Sequence, residues 1–182
     1  YVAKNPAFSA KIETLAEFFP EARIIYLARN PLDMLPSTVS WINYARRQFT
    51  DPKEKWLYLD EIVDRTRHWY SHPLKYLDAH PSPRNLILNY DDLIQRPEAV
   101  LRAFYEQFGY PDKPGLEIIV DEAVKETMSF NSDHVYSYEE MGFTRQQIVE
   151  LYPEIFERFG FEKREPLPTN AEKHSAQIPA TD

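Results

Sequence analysis

The chain has 182 residues, 43% hydrophobic and 14% aromatic, enough to bury one substantial core and too apolar for a disordered polymer. A formal net charge of −8 argues against coating nucleic acid, which needs clustered Lys and Arg, yet leaves room for a local cationic pocket. The lack of cysteine excludes disulfides, thiolate metal sites and cysteine nucleophiles; with no membrane-length apolar run, the expectation is a cytoplasmic protein.

Taken in chain order, Tyr1 to Ala3 reads as the end of a strand, and Lys4-Asn5-Pro6 puts a cation at the strand-to-loop junction. Ser9 is the expected N-cap of a helix that turns Ile12, Leu15, Ala16, Phe18 and Phe19 inward and stops at Pro20. Arg23 to Ala28 is a near-continuous apolar run too short for a typical helix, as expected of a parallel strand covered on both faces. The predicted unit is therefore β-α-β with a right-handed crossover, within an α/β fold of a parallel sheet with flanking helices. The second strand ends in Arg29-Asn30-Pro31, where open α/β sheets bind ligands.

Beyond Pro31, Asp33 is expected to cap a helix with Pro36 in its first turn, whereas an earlier start would kink the helix at Pro36. Ser37 then falls about two turns beyond Arg29. Val39, Trp41, Ile42 and Tyr44 carry this helix to Arg46-Arg47, and helical spacing resumes from Lys53 to Tyr76 with a break or bend before Pro73. The aromatic stripe from Trp56 to Tyr70 reads as core in preference to a cofactor box, and Trp41, Tyr44, Trp69 and Tyr70 fit either core packing or an acceptor cleft. His68 and His72 are spaced to share a helix face, but no third metal ligand accompanies them.

A loop at His80 to Pro83 leads to a further strand, Leu86 to Tyr90, followed by Asp91-Asp92-Leu93. Pro97 opens a helix with Val100, Leu101, Phe104, Tyr105 and Phe108 on its apolar face and Gly109 as its stop. A helix from Leu116 to Lys125 precedes an irregular stretch, Glu126 to Ser137. Thr144 with Gln147 forms a capping-box pattern for one last helix burying Ile148, Leu151, Ile155, Phe156 and Phe159 up to Gly160. Residues 1–161 are expected to form the folded part and 162–182 a flexible tail.

Most catalytic groupings are missing from this pattern. Four residues stand out at the ends of successive elements: Lys4, Arg29, Ser37 and Tyr90. A guanidinium fork and a hydroxyl suit one anion, and the aromatic suits a base, so the set fits a nucleotide.

Those residues carry a resemblance. Lys4-Asn5-Pro6, the run Phe19 to Asp33 with Ser37, Asn89-Tyr90-Asp91-Asp92-Leu93 with Pro97, and His134-Val135-Tyr136-Ser137 with Gly142-Phe143 resemble the sulfotransferases that use 3′-phosphoadenosine 5′-phosphosulfate, in their broad bacterial-type branch. The resemblance covers roughly residues 1 to 161 and implies a sheet related to the P-loop kinases. It implies that Arg29 and Ser37 bind the 3′-phosphate of the donor, that Tyr90 contacts the adenine, and that Ser129 and Phe130 close over the nucleotide. Lys4 would stabilise the leaving 5′-phosphate, and no metal is required. The implied partner is a small-molecule or glycan acceptor, sulfated on a hydroxyl or amine.

Two departures qualify what is carried over. All four glycines lie at or after Gly109, so the glycine-rich loop that holds the 5′-phosphosulfate has no counterpart before Lys4. The expectation is a carboxyl-terminal portion, inactive alone, whose partner is a missing amino-terminal segment of the same protein. In the cytosolic branch a histidine stands two residues after the lysine, but here that position is Pro6, so the base is not carried over: an acidic residue or histidine of the missing segment is one expectation, and His134 is an internal candidate with a hydrogen-bonded structural histidine as its alternative. A non-catalytic nucleotide-binding or scaffold module is the alternative, and a P-loop kinase is disfavoured because no Walker-type Gly-Lys-Ser/Thr occurs.

Overall fold

The computed structural model describes residues 1–51, 53, 55–111, 115–129 and 137–161. In chain order the elements are a 3-10 helix (Pro6–Lys11), α1 (Ile12–Phe18), β1 (Ile24–Ala28), α2 (Pro31–Arg47), α3 (Leu59–Ala79), β2 (Asn85–Asn89), α4 (Tyr90–Gln95), α5 (Pro97–Gln107), α6 (Leu116–Ser129), a second 3-10 helix (Glu139–Met141), α7 (Arg145–Leu151) and α8 (Pro153–Phe159). They divide into two units: residues 1–30 with 57–128, and residues 31–56 with the described part of 129–182. Among the described residues, no helix is long and apolar enough to cross a membrane.

The first unit holds the sheet, and it is parallel as the α/β reading requires. β1 and β2 pair in register from Ile24 with Asn85 to Ala28 with Asn89. Tyr1 to Ala3 is not a strand, so the parallel pair is β1 with β2 rather than β1 with the amino-terminal residues. Period-2 alternation buries Ala28 on one face, whereas Ile25 and Leu27 on the other are 43% and 40% exposed, so the strand is not covered on both faces as predicted.

The first helical segment is capped by Asn5, whose side chain accepts from the Ala7 N–H at 2.9 Å, and Pro6 occupies the donor-free first position. Ser9 is therefore inside the 3-10 helix, and the change from 3-10 to α winding rotates the apolar face. Ile12 is buried, while Phe18 and Phe19 are exposed instead of turned inward.

α3 runs unbroken through Pro73. Proline has no N–H to offer the carbonyl four residues back, and here that Trp69 carbonyl accepts the Tyr26 hydroxyl of β1 at 3.2 Å. The predicted break is thus avoided by a hydrogen bond from the sheet. Ile62, Val63, Thr66, Tyr70, Leu74 and Leu77 form the buried stripe, with the Thr66 hydroxyl donating to the carbonyls of its own helix. At the other end of β1, Arg23 donates to the Tyr110 hydroxyl at 2.8 Å and lies 4.4 Å from its ring, which ties the strand to the chain after α5. α5 begins at Pro97 as expected, and α6 continues past its expected end at Lys125.

The second unit is built on α2, which starts at Pro31 and carries Pro36 in its interior, so Asp33 lies in the first turn and is not the cap. Leu35, Val39 and Ile42 are buried, but Trp41 and Tyr44 are 65% and 67% exposed, contrary to the core reading of those two aromatics. α7 packs against α2. Its capping box is formed: the Thr144 hydroxyl accepts from the Gln147 N–H at 3.2 Å, and the Gln147 side chain accepts from the Thr144 N–H at 2.7 Å. Replacing Thr144 with Ala should cost about 1 kcal/mol, read as a lower urea midpoint. The single last helix predicted from the sequence is two, because Pro153 cannot donate back into α7 and instead opens α8.

Candidate functional site

The sheet register decides what emerges at its carboxyl end. Because Ala28 pairs with Asn89, Arg29 and Tyr90 leave the sheet side by side. The Asn89 side chain accepts from the Asp91 N–H at 2.9 Å and turns the chain directly into α4, so Tyr90 is the first helical residue and not the last of the strand. Asn30, Asn89 and Asp91 are all buried at these two strand ends, an unusual concentration of polar groups away from water.

Arg29 is half-buried, and its guanidinium carbon lies 5.4 Å from the centre of the Tyr90 ring, within cation–π range. Its backbone carbonyl accepts the Tyr70 hydroxyl of α3 at 2.5 Å. The Arg29 Nε is buried and has no hydrogen-bond partner among the described residues. A buried N–H of a cation left without an acceptor is costly, and an anionic ligand at the strand end would supply one.

The other predicted residues are placed as follows. Ser37 lies in the second turn of α2, in the second unit, half-buried; its hydroxyl has no hydrogen-bond partner among the described residues, while the neighbouring Thr38 hydroxyl faces the Met34 sulfur at 3.3 Å. Lys4 directly precedes the capping Asn5, exposed, with no ion pair among the described residues. Ser129 is the last residue of α6, while Phe130, His134 and residues 162–182 lie outside the described residues. Arg29 and Tyr90 are thus the predicted pair that the structure brings into contact.

Tyr70 is the residue that pattern reading left in the core. It is buried as that reading requires, yet its hydroxyl binds the backbone of Arg29. The available signal was its identity as Tyr in a buried stripe, since a buried phenol needs a partner. The His68 and His72 rings stack with centroids 4.7 Å apart, and no group of three or more potential ligands forms a metal site among the described residues. In the second unit, the Ser137 hydroxyl, 2.6 Å from Glu139, holds that carboxyl below its ordinary range, and burial followed by the Glu139 charge raises the Tyr138 phenol.

Comparison with known proteins gives this arrangement its context. A profile described as the sulfotransferase family matches residues 1–114. Over 177 residues, 92% of this chain, the sequence is 28% identical to omega-hydroxy-beta-dihydromenaquinone-9 sulfotransferase Stf3 of Mycobacterium bovis and, to the same extent, to its Mycobacterium tuberculosis counterpart. The chain spans 42% of the length of these curated relatives. In fold it is similar to the crystal structure of sulfotransferase STF9 from Mycobacterium avium, with a TM-score of 0.65 and 22% identity over 85% of this chain and 40% of that one. The profile covers more than half of the chain and includes Lys4, Arg29, Ser37 and Tyr90, so the chain belongs to the sulfotransferase family.

Proposed function

We propose that this chain carries the adenosine end of the donor site in an enzyme that moves a sulfuryl group from 3′-phosphoadenosine 5′-phosphosulfate to an acceptor hydroxyl. The observation that supports this best is Arg29, a cation at the carboxyl end of a parallel strand whose buried Nε has no hydrogen-bond partner among the described residues. In this reading Arg29 and Ser37, eight residues apart in sequence, bind the 3′-phosphate, with the guanidinium fork supplying parallel donors and the serine a hydroxyl. Tyr90, Ser129 and Phe130 complete the nucleoside end. Lys4 stabilises charge that develops on the leaving 5′-phosphate, and His134 is the internal candidate for the base that takes the acceptor proton.

Sulfuryl transfer, like phosphoryl transfer, moves a loosely bonded group in line between two oxygens, so the protein's contribution is mostly positioning and charge stabilisation, and this scheme needs no metal. The named relatives carry a hydroxylated acceptor in their description, which supports a hydroxyl as the acceptor class here. The 182 residues alone are assigned no turnover, because nothing in them supplies a glycine-rich loop for the 5′-phosphosulfate.

Calorimetric titration of the protein as encoded, with adenosine 3′,5′-bisphosphate and with adenosine 5′-monophosphate, tests the donor assignment; clear preference for the bisphosphate is expected, and equal affinity would overturn it. Turnover of labelled donor by the protein as encoded is expected as well. Tight bisphosphate binding without turnover on any alcohol, amine or sugar tried would replace the enzyme by a non-catalytic nucleotide-binding module.

A further inference from the structure

We infer that Tyr70 and Tyr90 are positioning residues that hold Arg29 ready for an anion, an assignment that rests on the donor reading above. Arg29 stands one residue past the last ladder position of β1, so strand pairing does not fix its carbonyl. That task falls to α3, where the buried Tyr70 donates its hydroxyl to the Arg29 carbonyl at 2.5 Å.

The adjacent helix residue locks the same two elements in the opposite direction. The Trp69 carbonyl, deprived of its helical donor by Pro73, accepts the Tyr26 hydroxyl from β1 at 3.2 Å. Two consecutive residues of α3 therefore bracket Tyr26 and Arg29, one accepting from the strand and one donating to the chain just beyond it. This sets where the Arg29 backbone lies at the end of the sheet.

Tyr90 sets where the side chain lies. Its ring sits at the start of α4, anchored by the Asn89 cap, and the Arg29 guanidinium lies over it at 5.4 Å. The ring face beneath the guanidinium is not available to stack a base. Arginine has many rotamers, and restricting them before a ligand arrives reduces the ordering cost of binding. The Nε, without a hydrogen-bond partner among the described residues, fits a side chain held in place for an incoming acceptor.

The test compares affinities of the protein as encoded for adenosine 3′,5′-bisphosphate and adenosine 5′-monophosphate. Tyr70→Phe keeps the ring and its packing and removes one hydrogen bond; it should reduce the preference for the 3′-phosphate about fivefold while leaving 5′-monophosphate affinity unchanged. Tyr90→Leu should reduce the same preference several-fold, and Tyr90→Phe, which keeps the ring beneath the guanidinium, should restore it. Full 3′-phosphate preference in Tyr70→Phe would overturn the role of Tyr70. Full 3′-phosphate preference in Tyr90→Leu would overturn that of Tyr90. Should Tyr70→Phe not fold, the Tyr90 pair still decides whether Arg29 is held by its neighbours. If the unmodified protein shows no 3′-phosphate preference, or Arg29→Ala leaves it intact, the donor reading itself fails, a result distinct from failure of the tyrosines alone.

Discussion

Arg29→Ala is expected to weaken adenosine 3′,5′-bisphosphate by about 10- to 150-fold while leaving adenosine 5′-monophosphate nearly unchanged, because a hydrogen bond to a charged group contributes roughly 1.5 to 3 kcal/mol. Both the location and the state of the side chain favour a large effect. Arg29 follows β1 at the carboxyl end of the parallel pair, and its guanidinium is directed by the Tyr90 ring instead of being neutralised by a carboxylate among the described residues. Arg29→Lys should recover only part of the loss, since an ammonium keeps the charge but not the planar fork. The same variants also separate a phosphate contact from general structural damage. Damage would lower affinity for both nucleotides together, and that result would remove Arg29 from the site.

The largest effect on stability is expected at Phe156 in the second unit, where Phe156→Ala should cost about 3 to 5 kcal/mol. Phe156 is 0% exposed on α8, and its ring meets Phe161 edge-on with centroids 6.3 Å apart. Ile148 on α7, Tyr152 at the junction of the two short helices and Ile155 on α8 are buried as well. Each helix is only seven residues long and would be marginal in isolation, so packing at this cluster supplies what helix propensity does not. Truncation removes apolar burial and leaves a cavity that two short, proline-bounded helices are poorly placed to close. A fall in urea midpoint at unchanged slope would report the loss directly, and a cost below about 1 kcal/mol would show that Phe156 is not a keystone of this core.

Several features of the fold are legible without coordinates because their causes lie within a few residues. Pro97 at the start of α5, the Thr144 and Gln147 capping box, and the glycines at 109 and 160 with positive φ are all local codes for helix ends. The apolar run ending in Arg29 likewise announces a strand with a cation at its carboxyl end, and the spacing from Arg29 to Ser37 carries the family resemblance. Lys4 stands out by its place at Lys4-Asn5-Pro6, although it is exposed and forms no ion pair among the described residues.

Local rules mislead where a distant residue changes the energetic balance. Proline predicts a break before Pro73, but the Tyr26 hydroxyl, 43 residues away in sequence, satisfies the carbonyl that the proline strands. Apolar spacing assigns Trp41, Tyr44, Ile25 and Leu27 to buried faces, yet how much of a face is covered depends on which elements lie against it, and all four are exposed. Periodicity marks Tyr70 as core and cannot see that its hydroxyl meets the backbone of Arg29 across 41 residues. Helix ends and the strand follow from interactions between near neighbours in the chain. The parallel register that sets Arg29 beside Tyr90, and the tyrosine that holds it there, arise from contacts between segments brought together only by folding.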